Sequence, residues 1–208
     1  MKLALVTCTA VLLGSTTFAG DVNTPAPAMA VVAPVAASTD WSGAYAGGLF
    51  AFASGDNIYN YLNFEPEYYS IEGDAYGVFA GYRHDMGNFV LGGEAAILFA
   101  GGITETGEDP EEYGYNNIFD LKATAGFDLG NVLVYGTAGY SVASFSYDGS
   151  PSLPGWLVGA GVDVKISERF FIGAEYIYRD VNNDDFWDPD DGINGQFSTV
   201  QLRAGMTF

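Results

Sequence analysis

Apolar and polar residues alternate along much of the chain from residue 41 onward, which is the pattern of a β-strand with two unlike faces. The pattern is clearest over residues 119–129, where every second residue is aromatic, leucine or alanine. The positions between them hold small or charged residues: Asp120, Lys122, Thr124, Gly126 and Asp128. Because a soluble sheet with one wet face alternates in the same way, this segment predicts a strand and leaves the kind of sheet open.

Seven other segments bring the predicted number of strands to eight. Four of them alternate in the same way: residues 89–99, 156–166, 170–179 and 200–208. The other three are strand-like but rich in glycine: residues 42–53, 75–84 and 132–147. In these three strands the pattern leaves open which residues face inward.

The predicted connections alternate in length. Three are tight turns, at residues 85–88, 130–131 and 167–169. Four are mostly longer, at residues 54–73, 102–117, 148–154 and 181–195. Neighbours joined by hairpins make the sheet antiparallel, and closure removes the edges that lipid cannot solvate. The sequence therefore predicts an all-β fold, a closed antiparallel eight-stranded up-and-down transmembrane β-barrel with short periplasmic turns and longer outer loops.

The strand charges fall almost entirely on one face. A charge on the lipid-facing side of a barrel costs roughly 2 to 4 kcal/mol near the bilayer midplane, so we expect these residues to point inward. We expect them to form a lumenal network that plugs the barrel: Arg83, Glu94, Asp120, Lys122, Asp163, Lys165, Glu175, Arg179 and Arg203. Solvated charges on a soluble sheet are the alternative interpretation.

The first 40 residues have the composition of an export leader. Lys2, the apolar stretch over residues 3–14 and the small residues after it predict a signal peptide over residues 1–19. The cut is placed after Ala19, with Ala28 and Ala30 as the other candidates. Residues 20–40 are rich in proline and alanine and predict a flexible periplasmic leader, which precedes a barrel domain over residues 41–208. Because Cys8 lies in the signal, the exported chain would contain no disulfide.

The net charge of the chain is −19 and becomes about −20 once Lys2 is removed with the signal. A charge of this sign repels phosphate backbones and argues against nucleic-acid binding. The excess acid falls in the predicted loops, where divalent cations are candidate partners. The acidic run over residues 184–192 does not match the EF-hand spacing, so solvated acid is the default interpretation there. No cofactor is expected, since no group of cysteines and histidines predicts a zinc site.

Aromatic residues are interleaved with the acidic residues of the predicted loops. Those close to the barrel rim fit an interfacial girdle, and those farther out are candidates for contact with surface glycolipid or a partner. The candidate surface-contact residues are Tyr59, Tyr61, Phe64, Tyr68, Tyr69, Phe186 and Trp187.

Catalysis is not predicted. A lipid-directed hydrolase would need a nucleophile beside a base, and His84 is the only histidine. It adjoins the turn at residues 85–88, at the predicted periplasmic end, so we expect it at the rim or in the lumen. The function predicted first is structural or in surface contact. The alternatives are a small pore or transporter for ions or solutes, which the inner charges disfavour, and a loop-mediated adhesin or ligand-binding barrel.

Four short motifs follow one another between residue 41 and the end of the chain. They are Trp41-Ser-Gly-Ala-Tyr-Ala-Gly-Gly, Gly155-Trp156 followed by Gly159, Gly161 and Asp163, Ala174-Glu175-Tyr176-Ile-Tyr178, and Leu202-Arg203-Ala-Gly-Met-Thr-Phe208. In this order, and with the terminal aromatic residue, they resemble the small opacity-like, OmpA-like family of outer-membrane β-barrel proteins.

That resemblance implies a bacterial outer-membrane location, a monomer in contact with lipid and lipopolysaccharide, and a role in envelope integrity or surface contact. It implies no shared catalytic residues. It also implies that the export and barrel-assembly machinery act on the chain during biogenesis. The residues that fit the C-terminal assembly signal are Phe208, Met206, Ala204, Leu202 and Val200.

Overall fold

A computed structural model describes residues 40–61, 64–106, 113–146, 151–183 and 192–208. These residues form eight strands: β1 Gly43–Asn60, β2 Glu67–Asp85, β3 Phe89–Glu105, β4 Gly114–Asp128, β5 Val132–Phe145, β6 Ser152–Lys165, β7 Phe170–Asn183 and β8 Gly192–Thr207. No helix within the described ranges is long and apolar enough to cross a membrane. The predicted signal peptide and residues 20–39 of the predicted leader lie outside the described residues.

Each strand pairs in the antiparallel sense with the next one, and β1 also pairs with β8, so the sheet closes into a barrel. The closing seam runs from Tyr45 opposite Thr207 to Asn60 opposite Gly192. Since every strand has a partner on both sides, the sheet has no edge that lipid would have to solvate. The predicted closed antiparallel eight-stranded barrel is confirmed.

Two of the three tight turns share the same sequence motif and the same hydrogen bond. The segments that begin at Asp85 and Asp128 both read Asp-X-Gly-Asn, and each aspartate accepts a hydrogen bond from the glycine N–H two residues later, at 2.8 Å and 2.7 Å. The glycines, Gly87 and Gly130, have φ values of 100° and 86°, which glycine adopts without the steric cost of a side chain. The turns therefore bring β3 and β5 straight back along their predecessors.

At the opposite end the strands are longer than the sequence pattern predicts. Residues 54–60 and 67–73, which we expected in the first loop, extend β1 and β2 and pair from Ser54 opposite Glu72 to Tyr59 opposite Glu67. Strands β3, β4, β6, β7 and β8 also extend into the loops expected over residues 102–117, 148–154 and 181–195, whereas β5 ends at Phe145, two residues before its expected end. The reason is that inward residues at this level, such as Asn57 and Ile71, are still buried in the lumen.

The structure also gives a facing to the three glycine-rich strands. Their buried, inward-facing residues include Tyr45, Leu49, Phe79, Arg83, Leu133 and Tyr135. Their outward neighbours, such as Phe50 and Tyr82, are exposed on the outer surface. The hydrophobic exterior and the packed interior thus alternate residue by residue along each strand.

Glycines of the neighbouring strands make room for the large side chains inside. A Cβ atom on Gly81 would lie 2.6 Å from the Tyr45 ring, and one on Gly205 would lie 2.4 Å from the Phe171 ring. An eight-stranded barrel has an interior only wide enough for side chains, so aromatic residues fit where the facing wall has none. Gly81 in β2 and Gly205 in β8 therefore leave the space that these two inward rings occupy.

Candidate functional site in the barrel lumen

The middle of the lumen holds six charged side chains in mutual contact, which we call the central ion cluster: Arg83, Glu94, Lys122, Asp163, Glu175 and Arg203. Arg203 lies between the three carboxylates. Its Nη2 atom is 2.5 Å from Glu94 Oε2, its Nη1 atom is 2.9 Å from Glu175 Oε2, and its Nε atom is 3.6 Å from Asp163.

Two further cations complete the charge balance of the cluster. Lys122 Nζ lies 2.8 Å from both Glu94 Oε1 and Glu175 Oε2, so it bridges β3 and β7. Arg83 contacts Asp163 at 2.5 Å across the lumen. All these side chains are almost completely buried, and three cations meet three anions. The cluster is therefore neutral as a whole, which is the condition for placing ions in a low-dielectric interior.

Aromatic rings enclose the two guanidinium groups. The Arg203 guanidinium carbon lies 4.0 Å from the centre of the Phe79 ring, and that of Arg83 lies 4.3 Å from the centre of the Tyr45 ring. The Tyr45 hydroxyl donates a hydrogen bond to Glu94 Oε2 at 2.8 Å. These contacts hold the charged planes in place through cation–π attraction and hydrogen bonding.

A separate ion pair is held by other partners. Arg179 Nη2 donates to Asp120 Oδ2 at 2.6 Å, and its Nη1 atom donates to the Thr199 hydroxyl at 2.8 Å. The Ser141 hydroxyl donates to Asp120 Oδ1 at 2.7 Å. Both charged residues are fully buried, so this pair adds a second balanced set of charges to the lumen.

Lys165 differs from the other predicted members of the lumenal network. It lies at the tight-turn end, where its Nζ atom donates to the backbone carbonyl of Asp40 and sits 4.9 Å from the centre of the Trp41 ring. No carboxylate in the described part of the chain lies within ion-pairing distance of it. Of the nine predicted members, the other eight form ion pairs.

Trp41 closes the tight-turn end of the barrel. Its indole Nε1–H donates to the Gly130 carbonyl at 3.1 Å, its backbone N–H donates to Asp85 at 3.1 Å, and its side chain is 1% exposed. Hydrogen bonds from the backbone and side chain of Ser42 hold the pKa of Asp40 below its usual value. The segment just before β1 is thus fastened to two turns across the mouth.

The long-loop end contains a buried carboxylate that the sequence pattern did not reveal. We expected Glu105 and Tyr59 in outer loops, but Glu105 lies in β3 and Tyr59 in β1, and both are buried. Glu105 Oε1 accepts hydrogen bonds from Asn57 Nδ2 at 2.6 Å and from the Tyr59 hydroxyl at 2.5 Å. The Tyr115 hydroxyl in turn donates to Asn57 Oδ1 at 2.7 Å.

The alternation of the sequence could have placed Asn57 and Tyr59 in a strand, but it could not have placed Glu105. Asn57 and Tyr59 keep the two-residue period of β1, so extending the alternation past Ala53 would have found them. Glu105 lies beyond a bulge at Gly101 and Gly102, where the register of β3 shifts against its neighbours. Because a bulge inserts a residue that breaks the alternation, a two-residue period cannot place the residues on its far side.

The remaining candidate residues lie in several environments. Phe64 is 77% exposed and Tyr68 is 68% exposed, whereas Tyr61 and Tyr69 are more covered. Phe186, Trp187 and most of the acidic run at residues 184–192 lie outside the described residues.

His84 is exposed on the outer side of β2, near its tight-turn end. The five residues of the proposed assembly signal lie along the outward side of β8 and at its end, where Val200, Leu202, Ala204 and Phe208 are exposed and Met206 is half-buried.

Comparison with known proteins gives the class to which this barrel belongs. The family described as "Outer membrane protein beta-barrel domain" matches residues 25–208. The chain belongs to this family and is located in the bacterial outer membrane, so the tight turns are periplasmic and the long-loop end is extracellular. Its outward apolar surface therefore contacts membrane lipid.

Individual relatives agree with this assignment. The chain is 30% identical over 187 residues to the 22 kDa outer membrane protein of Rhizobium leguminosarum bv. viciae, covering 85% of this chain and 82% of that protein. It is 24% identical over 216 residues to the 25 kDa outer-membrane immunogenic protein of Brucella abortus, covering 100% and 97%. The crystal structure of Neisserial surface protein A has the same fold, with a TM-score of 0.52 and 20% identity over 80% of this chain and 98% of that one.

Proposed function

We propose that this protein is a structural barrel of the outer membrane whose lumen is sealed by charged side chains and whose extracellular end makes surface contacts. The observation that carries the proposal is the central ion cluster, in which three cations and three anions fill the middle of the lumen. The pair of Asp120 and Arg179 and the side chain of Trp41 add two more obstructions. An ion passing through would have to displace buried, mutually compensated charges, which is costly.

The rival function is a small pore, and conductance distinguishes the two. We expect the purified protein to give no channel steps in planar bilayers, because the cluster leaves no continuous aqueous path. The sample should first be shown to migrate as a folded, heat-modifiable barrel. A double variant, Glu94→Ala with Arg203→Ala, serves as the comparison, since it keeps the cluster neutral while removing two of its six charged side chains. Reproducible steps from the unaltered protein would reject the sealed-barrel function in favour of a pore.

A role without catalysis is part of the proposal. His84 is exposed at the periplasmic end of β2, while the charged groups of the lumen are engaged with one another. A hydrolase acting on lipid would need a nucleophile and a base at the level of its substrate. The Rhizobium and Brucella relatives are described as outer membrane proteins and not as enzymes, which supports this part of the proposal.

The proposed surface contacts include outer-leaflet lipopolysaccharide, bridged by divalent cations. Exposed carboxylates stand at the extracellular end, among them Glu65, Glu67 and Glu72. The basic residues after Lys2 lie in the lumen or at the periplasmic end, so none is available there to bind lipid phosphate directly. Divalent cations can join carboxylates to phosphates because both are hard oxygen ligands.

The proposal extends to biogenesis, as the sequence predicts it. We propose removal of residues 1–19 during export and a periplasmic leader up to residue 40. We also propose that the assembly machinery recognises Phe208 together with Met206, Ala204, Leu202 and Val200. The outward placement of Leu202 and Val200 supports this, because an apolar strand face is available to a receptor before the β1–β8 seam closes. The finished barrel is proposed to be a monomer.

A second candidate function is binding of a surface partner by exposed aromatic residues. Phe64 and Tyr68 are largely exposed at the extracellular end, and aromatic side chains supply large contact areas in protein interfaces. We expect the double variant Phe64→Ser with Tyr68→Ser to reduce adhesion of expressing cells to host or abiotic surfaces at least about tenfold. Exposed Tyr76→Ser in the lipid-facing wall is the control variant. Unchanged adhesion in the loop variant would remove this candidate.

A further inference from the structure

One buried carboxylate in the extracellular mouth has no cationic partner among the described residues. The Glu105 side chain belongs to a residue that is only 7% exposed, and its hydrogen-bond partners are the neutral groups of Asn57 and Tyr59. None of the described basic residues lies within ion-pairing distance of it. Burying an anion without a countercharge is unfavourable, so the site has an unmet demand for positive charge.

The described basic residues are either paired with other carboxylates or located at the other end of the barrel. Arg83, Lys122 and Arg203 are bound in the central ion cluster, and Arg179 is bound to Asp120. The other two described basic residues, Lys165 and Arg169, belong to the periplasmic end. A cation that pairs with Glu105 would therefore come from outside the described residues.

Four tyrosines are linked to this carboxylate, either through the Tyr59 hydroxyl, through the Asn57 side chain or through ring contacts with Tyr59. We call the group of Glu105 with Tyr59, Tyr61, Tyr69 and Tyr115 the tyrosine cage. The rings of Tyr59 and Tyr61 are stacked at 6.5 Å, and those of Tyr59 and Tyr69 meet edge to face at 5.3 Å. Tyr69 is 40% exposed, so the cage is open to the exterior on its side.

We propose that the tyrosine cage binds an organic ammonium group, such as a methylated amine or the terminal ammonium of a lysine side chain. Aromatic faces attract organic cations through the ring quadrupole, and the attraction grows when the site excludes water. The Glu105 carboxylate, which accepts a hydrogen bond from the Tyr59 hydroxyl, supplies the matching full charge. This inference goes beyond the sealed-barrel function and does not depend on it.

A metal ion fits the site less well than an organic cation. No group of three or more metal-binding side chains of the His, Cys, Asp or Glu type occurs among the described residues. Hard divalent cations require six or more oxygen ligands, or several carboxylates. The cage offers one carboxylate and several π faces, which is the combination that an ammonium group prefers over a hydrated metal ion.

The experiment is a titration of the full-length protein in detergent micelles with tetramethylammonium chloride, followed by NMR of ¹³C-labelled tyrosine rings. We expect saturable shifts confined to the cage tyrosines. Glu105→Gln should weaken the affinity about tenfold, and Tyr69→Leu should weaken it several-fold. Glu65→Gln is the matched control, because Glu65 is an exposed carboxylate at the same extracellular end and is not a member of the cage.

The controls make the result decisive. Each variant is first shown to be heat-modifiable, so that a loss of binding is not a loss of fold. Equal concentrations of sodium chloride and of tert-butanol test ionic strength and apolar bulk separately. The proposal is overturned if Glu105→Gln binds as tightly as the unaltered chain. It is equally overturned if either control solute reproduces the shifts, or if the rings respond to pH alone and never to tetramethylammonium.

Discussion

Replacing Arg203 with methionine is expected to lower the free energy of unfolding by about 3 to 5 kcal/mol. The guanidinium group contacts Glu94, Glu175 and Asp163, and its side chain is 1% exposed. Without it, two cations face three anions in a site that water does not reach. Most of the expected loss comes from the charge left uncompensated, since the methionine side chain retains much of the volume.

A second substitution tests that explanation. Adding Glu94→Gln to the Arg203→Met variant restores equal numbers of cations and anions, so the double variant should be more stable than the single one. Arg169→Met, in the exposed turn before β7, is the control and should change stability by no more than about 0.5 kcal/mol. Urea unfolding in micelles, followed by tryptophan fluorescence and by heat-modifiable migration, measures all three. A single variant as stable as the Arg169 control would refute the role of charge balance in the lumen.

Substituting alanine for Gly47 is expected to prevent closure of the barrel, whereas the same change at Gly48 should be tolerated. A Cβ atom on Gly47 would lie 2.2 Å from the Ala204 carbonyl oxygen and 2.5 Å from the Phe79 ring. The first of these is backbone of β8, which cannot move without opening the β1–β8 seam. A Cβ atom on Gly48 faces outward, with its nearest neighbour 3.7 Å away. We expect a loss of about 3 kcal/mol or more for Gly47→Ala.

The two glycines form a matched pair, because they are adjacent, carry the same substitution and differ only in the face on which they lie. Both variants are refolded from urea into lipid vesicles, and the folded fraction is read from heat-modifiable migration. Gly48→Ala should fold in the same yield as the unaltered protein. Equal yields for both variants would mean that the seam adjusts to a methyl group despite the close approach of β8.

The fold could be predicted from the sequence because lipid-facing and lumen-facing residues alternate along each strand of a membrane barrel. Residues 119–129 and 156–166 show this without ambiguity, since lipid excludes charge from one side and the lumen collects it on the other. The alternation is weaker where glycine replaces the inward residue opposite an aromatic ring, as at Gly47 and Gly81. There the facing depends on a partner in another strand, and a single sequence does not reveal that partner.

The candidate site in the lumen could be predicted from the sequence only in part. The inward charges were identified one by one, but their pairing was not, because Arg203 and Glu94 are 109 residues apart and meet only through barrel closure. Lys165 lies on the inward side of its strand, like the residues that form ion pairs. It differs from them only in lying at the end of β6, next to the turn. The outer ends of the strands were mistaken for loops, since strands that leave the bilayer lose the apolar outward residues on which the pattern depends.

The central ion cluster is neutral by itself, and this divides the positions of the chain into two kinds. Exchanges at Arg83, Lys122 or Asp163 disturb partners on several strands, so tolerance there is low. No residue of the extracellular segments belongs to the central ion cluster. Substitutions there leave the cluster intact, so the surface that the protein presents outside the cell is able to change while the barrel stays the same.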